Sequence, residues 1–134
     1  MATEMKLPEG APEEVITNAL VRDVDLTPFG HKGSLALITL DNGLDHNRPN
    51  TFGPQSLSAL DAAITDAIGR APAAIAITGK PFIFAAGADL SALSFLAKRE
   101  QSLAIGKLGH DVFRRFDECG IPTFAFINGL ALGG

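Results

Sequence analysis

A chain of 134 residues has room for one domain with a modest core. Its formal net charge of −4, with no local basic cluster to offset it, argues against nucleic acid as a partner. Cys119 is the sole cysteine, which excludes an intrachain disulfide and fits a reducing compartment.

The first fourteen residues, rich in Pro, Gly and Glu, read as a poorly ordered lead-in, and residues 15–134 as one α/β domain. The start is polar and acidic rather than basic-then-apolar, so no signal peptide is expected. No apolar run approaches the roughly 20 residues of a membrane helix. The expectation is a soluble, cytoplasmic chain with no membrane partner.

Val15 to Leu26, with apolar Ile16, Leu20, Val21, Val24 and Leu26, suits a strand better than a helix. Thr27 to Gly33 is a turn by composition, and Ser34 to Leu40 a second strand that closes a hairpin. Asp41 to Pro54 is a long loop. Gln55 to Ile68 carries Leu57, Leu60, Ile64 and Ile68 at helical spacing, with Pro54 near its start. Ala73 to Thr78 is a short buried strand, ended by Gly79-Lys80-Pro81. The Phe82–Leu90 stretch then leads into a short helix with Leu93 and Leu96, and Lys98-Arg99-Glu100 mark a charged surface turn.

Ser102 to Cys119 is the longest predicted helix, with Ile105, Leu108, Val112, Phe116 and Cys119 as its inner stripe. Gly106 and Gly109 weaken it by about 1 kcal/mol each relative to alanine, which points to close packing or ligand approach on that face. Gly120 stops the helix, and Thr123 to Ile127 reads as a buried strand. Strands alternating with helices through short connections predict an α/β fold with parallel pairing.

Two stretches carry the chemistry. In Phe82-Ile83-Phe84-Ala85-Ala86-Gly87-Ala88-Asp89-Leu90 an apolar run enters a turn of small residues and meets an aspartate suited to an N-cap. Such a turn aims free backbone N–H groups at a carbonyl oxygen or an anion. A merely crowded strand-to-helix turn would use the same small residues. Pro122 to Gly134 repeats the design, and the two turns brought together would offer two donors to one oxygen.

Ala85-Ala86-Gly87-Ala88-Asp89, followed by Ile127-Asn128-Gly129-Leu130-Ala131-Leu132-Gly133-Gly134, resembles the crotonase (enoyl-CoA hydratase/isomerase) family in sequence and order. The resemblance runs from about Val21 to Gly134 and covers the first half of a crotonase domain. It implies a spiral of β-β-α turns, truncated after that half. It also implies an oxyanion hole made by Ala88 N–H and Gly134 N–H, with Ala86 and Gly87 beside the thioester of an acyl-CoA substrate. Asp41–Pro49 occupies the place of the family's loop beside the CoA nucleotide. Arg48 there is a candidate for a phosphate, a solvated surface arginine being the alternative, and Lys80 is a second candidate. Asn50-Thr51-Phe52-Gly53-Pro54 departs from the family's Asn-Ala-Leu, which puts adenine contacts in this loop in question.

The phrase Ile77-Thr78-Gly79-Lys80-Pro81-Phe82-Ile83-Phe84 is most similar to the hydratase portion of bacterial multifunctional β-oxidation proteins. In those an NAD-dependent 3-hydroxyacyl-CoA dehydrogenase follows, so NAD enters only with such a domain. No cofactor is expected in the present part, coenzyme A being part of the substrate. Hydrating members of the family use two glutamates located after the second glycine motif. Isomerase, decarboxylase and hydrolase relatives share the oxyanion hole, and a non-catalytic acyl-CoA-binding or assembly module is the competing class. An oligomer, or the remainder of a longer chain, is the expected partner. His31, His46 and His110 lack metal-ligand spacing, and neither a nucleophile elbow nor G-x-G-x-x-G occurs.

Overall fold

The computed structural model describes residues 9–91 and 99–133. Strand β1 (Asn18–Asp25) and strand β2 (Ser34–Asp41) form the expected antiparallel hairpin. Between them a short 3-10 turn at Thr27–Phe29 ends on Gly30, whose φ of +81° is the left-handed conformation glycine tolerates. Helix α1 (Pro54–Gly69) follows, then β3 (Ala74–Gly79) and β4 (Phe82–Ala85). Helix α2 (Arg99–Glu118) leads to β5 (Thr123–Phe126) and β6 (Gly129–Ala131).

One sheet has the order β1-β2-β3-β5, with β3 parallel to both β2 and β5; β4 and β6 pair in parallel as a second, two-stranded sheet. Ile38, Leu40 and Ile75 of the larger sheet meet Leu60 and Ile64 of α1, and all five side chains are fully buried. Burying each is worth about 1.5–3 kcal/mol. Val112 of α2 is also buried here, with Leu108, Phe116 and Cys119 packed against the same core.

Three expectations change. Arg99 and Glu100 belong to the first turn of α2 rather than to a surface turn, with Glu100 placed where the positive helix end favours an acid. Strand β1 starts three residues later than Val15, because Thr17 and Glu14 spend their polar groups on α1 and the 50–52 segment instead. Strand β5 is not buried: Phe124 and Phe126 are 53% and 48% exposed. It is the edge of the larger sheet, so an apolar pattern alone could not tell it from a central strand. Leu93 and Leu96, the anchors of the expected short helix, lie outside the described residues.

Candidate oxyanion site

Asn50, Thr51 and Phe52 run alongside the small-residue turn and set its geometry. Ala86 N–H donates to Asn50 O at 2.8 Å, Phe52 N–H to Gly87 O at 2.8 Å, and Asp89 N–H to Phe52 O at 2.9 Å. Phe52 and Ala88 thus form an isolated parallel bridge. In a trans peptide the C=O and N–H point opposite ways. Since Gly87 O faces Phe52, Ala88 N–H faces away from it, and among the described residues it has no hydrogen-bond partner.

The second motif lies on that other flank. Leu132 N–H donates to Ala85 O at 3.0 Å, while the N–H of the same peptide unit, on Ala86, goes to Asn50. A Cβ built on Gly87 would sit 3.2 Å from Gly133 Cα, and one on Gly133 would sit 3.0 Å from Gly87 Cα. Both glycines also have positive φ, +74° and +86°. Their lack of a side chain therefore serves conformation and close approach together. The neighbours of the two expected donors are in contact. Gly134 itself lies outside the described residues.

Gly129 secures this contact from the other end of β6. A Cβ there would fall 2.1 Å from Phe82 O, so only glycine lets β6 pair with β4. Asp89 behaves as a capping residue, its Oδ1 accepting from Ser91 N–H at 2.9 Å.

Lys80, expected at a CoA phosphate, has a different role. It is only 4% exposed, and its ammonium donates to Asn42 Oδ1 (2.5 Å) and to the carbonyls of Leu44, Asp45 and Arg48 (2.9, 2.9 and 2.7 Å). Four acceptors already surround three N–H donors, so the charge organises the 42–48 loop from inside. Arg48 differs: its backbone joins this cage, while the residue as a whole is exposed. It is the one of the two candidates open to a ligand.

Two asparagines lock the site: Asn50, to which the sequence pattern gives no role, and Asn128, which enters that pattern only as part of the second motif. Asn50, fully buried, donates from Nδ2 to Leu40 O and Phe84 O and accepts at Oδ1 from Asn42 N–H. Asn128 of the second motif accepts from Gly79 N–H and donates to Gly79 O and Lys80 O, at 2.8–3.1 Å. The first can be found only by asking which loop polar group satisfies β2 and β4 at once.

A cavity of about 740 Å³ opens at Ala88 and Gly87 and is lined along α2 by Ile105, Gly106, Gly109 and Phe113. A second, of about 490 Å³, adjoins Gly87, Leu132 and Gly133. Phe52 and Phe113, in an edge-to-face pair with centroids 5.5 Å apart, line both. A Cβ on Gly109 would reach Leu57 at an ordinary 3.9 Å, and one on Gly106 meets none of the described residues within 4 Å. Packing against the described residues does not demand these glycines, so open space on this face of α2 is what they leave. Among the described residues no three His, Cys, Asp or Glu side chains gather to hold a metal, and no helix is long and apolar enough to cross a membrane.

The sequence pattern of the enoyl-CoA hydratase/isomerase family matches residues 30–134. The chain belongs to that family. It is 40% identical over 83 residues to the fatty acid oxidation complex subunit alpha of Shewanella loihica, covering 62% of this chain and 12% of that protein. The Shewanella frigidimarina subunit is 33% identical over 104 residues, covering 75% and 14%. An enoyl-CoA hydratase/isomerase structure from Xanthobacter autotrophicus superposes with a TM-score of 0.69 at 24% identity, over 85% of this chain and 39% of that one. The crotonase fold is thereby shown, and this family member spans about an eighth of the length of the curated relatives it matches.

Proposed function

We propose that this domain activates acyl-CoA thioesters as the first half of an enoyl-CoA hydratase unit in fatty-acid β-oxidation. The observation that carries the reading is the orientation of Ala88 N–H, aimed away from Phe52 on the flank where Gly133 touches Gly87. A thioester oxygen held there gains negative charge as the enolate-like species forms. Each fixed backbone donor that meets this charge is typically worth about 3 kcal/mol. Ala88 and Gly134 supply the two donors, Ala86 and Gly87 the close approach, and the α2-lined cavity receives the acyl chain. Arg48, exposed on the 42–48 loop, is the candidate for a CoA phosphate. The likeness to fatty acid oxidation alpha subunits supports membership in a larger multifunctional enzyme, with a 3-hydroxyacyl-CoA dehydrogenase that would use NAD.

The test is a chromophoric enoyl-CoA whose absorption moves to longer wavelength when its carbonyl is polarised. The chain is expected to bind it with a red shift, and Ala88→Pro, which has no N–H, to abolish the shift. Binding with no shift would make this an acyl-CoA-binding module rather than an activating one. An unchanged shift in a folded Ala88→Pro protein removes the donor role.

A further inference from the structure

We infer that Glu14 and Thr17 are positioning residues for the Ala88 donor, acting through Asn50–Phe52; the inference rests on the donor role proposed for Ala88. The 50–52 segment has two hydrogen-bonding flanks. One holds the turn: Asn50 O, Phe52 N–H and Phe52 O bond Ala86, Gly87 and Asp89. The other belongs to Thr17, whose hydroxyl donates to Thr51 O at 2.7 Å and accepts from Thr51 N–H at 3.2 Å. Thr17 is 1% exposed, so no water competes for these bonds.

Thr17 is fixed in turn. Its N–H donates to Ser56 Oγ at 2.9 Å, and the Ser56 hydroxyl donates to Glu14 Oε1 at 2.6 Å. The Glu14 carboxylate also accepts Ser56 N–H and Gln55 N–H, both at 2.9 Å, and so caps α1 from 41 residues away. A local cap would have met the helix's own need, since Ser or Asp at position 53 could accept the same N–H groups. Gly53 stands there instead. A Cβ on it would lie 2.4 Å from Glu14 Cδ, so the glycine makes room for the distant carboxylate. The long-range cap does what a local one cannot: it ties Glu14–Thr17 rigidly to α1, and through Thr51 to the turn that aims Ala88 N–H.

Amide hydrogen exchange on the full 134-residue chain decides this. Thr17→Val keeps the shape and removes both hydroxyl bonds. Exchange at Phe52 and Asp89 is expected to accelerate about tenfold relative to Ile38 and Ile77 of the core, and Thr17→Ser to restore it to within about twofold. Unchanged protection at Phe52 and Asp89, or acceleration in step with the core, overturns the inference. Should Thr17→Val not fold, Glu14→Gln carries the same comparison, with about threefold local acceleration expected. A second readout uses cinnamoyl-CoA: Thr17→Val should lose the red shift while its Kd changes less than about threefold, and Thr17→Ser should regain it. If the unmodified chain shows no shift, the donor reading of Ala88 fails, and exchange still reports separately whether Thr17 holds the turn.

Discussion

Gly87 concentrates several constraints in one residue. At φ +74°, with Gly133 Cα 3.2 Å from where a Cβ would stand, alanine would be both strained and crowded. Gly87→Ala is expected to lower stability by about 1–3 kcal/mol and to abolish the thioester red shift. Urea unfolding and the absorption assay measure the two effects. Lys80 poses a different question, because its ammonium satisfies loop carbonyls instead of facing solvent. Lys80→Met should destabilise by about 1–3 kcal/mol, since it strands those acceptors. It should leave the salt dependence of CoA binding unaltered, whereas Arg48→Gln should reduce it. CoA titrations at two ionic strengths separate the residues; a Lys80→Met protein whose salt dependence falls would return Lys80 to the phosphate.

At the scale of elements, α2 combines a firm inner stripe with two glycines that the described packing does not require. Gly106→Ala is expected to raise stability by about 1 kcal/mol through helix propensity alone. Gly106→Leu should weaken binding of long acyl-CoA more than of short, as the cavity beside Ala88 fills. A thermal melt and a chain-length series check both. Helix α1 ends on an exposed ion-pair group in which Arg70 holds Asp66 and Asp23 at 2.7 and 3.2 Å. The hydrogen bond from Arg70 keeps the Asp66 carboxyl below the usual carboxylate range. A depressed folded pKa contributes stability above the unfolded value, near 3.9, and that contribution disappears as pH falls through the folded value. Melting temperature should therefore drop less between pH 6 and pH 3 in Asp66→Asn than in the parent. Because the pair is solvent-exposed, the difference should be small and should shrink further in salt.

For the whole molecule, Phe124, Phe126, Ile127, Leu130 and Leu132 leave an apolar strip along β5 and β6 in the described residues. A polypeptide of these 134 residues is expected to self-associate, with sedimentation showing mass rising with concentration. A monomer at high concentration would contradict this. Hydration also needs a positioned acid and base beyond a polarised carbonyl, typically a further 10²–10⁴-fold. The family resemblance implies that the two glutamates of hydrating members follow the second glycine motif, so crotonyl-CoA turnover by a polypeptide of these 134 residues is expected to fall far below that of longer members. Turnover near theirs would assign the acid–base work to a carboxylate already at hand, such as Asp117 in the α2-lined cavity.

The apolar spacing of β2, α1, β3 and α2 is a local property, written in residues such as Leu57, Leu60 and Ile64, and the amino-acid sequence alone determines it. The same holds for the two glycine motifs, because the positive φ and close approach of Gly87 and Gly133 require small residues in a fixed local order. The exposure of β5 is not legible in this way, since a strand's neighbours in a sheet are not encoded in its own pattern. Strand β6 is hidden for a related reason: it exists only through its pairing with β4, some 47 residues back in the chain. The buried polar groups are the least legible. The side chains of Lys80, Asn128 and Glu14 bond partners 30 to 50 residues away, and Asn50 joins near partners at Leu40 and Asn42 to Phe84, 34 residues on. A polar side chain in a sequence looks alike whether it will meet water, ligand or carbonyl. Only the folded chain removes the water, and burial then obliges each of these groups to find its partner inside the protein.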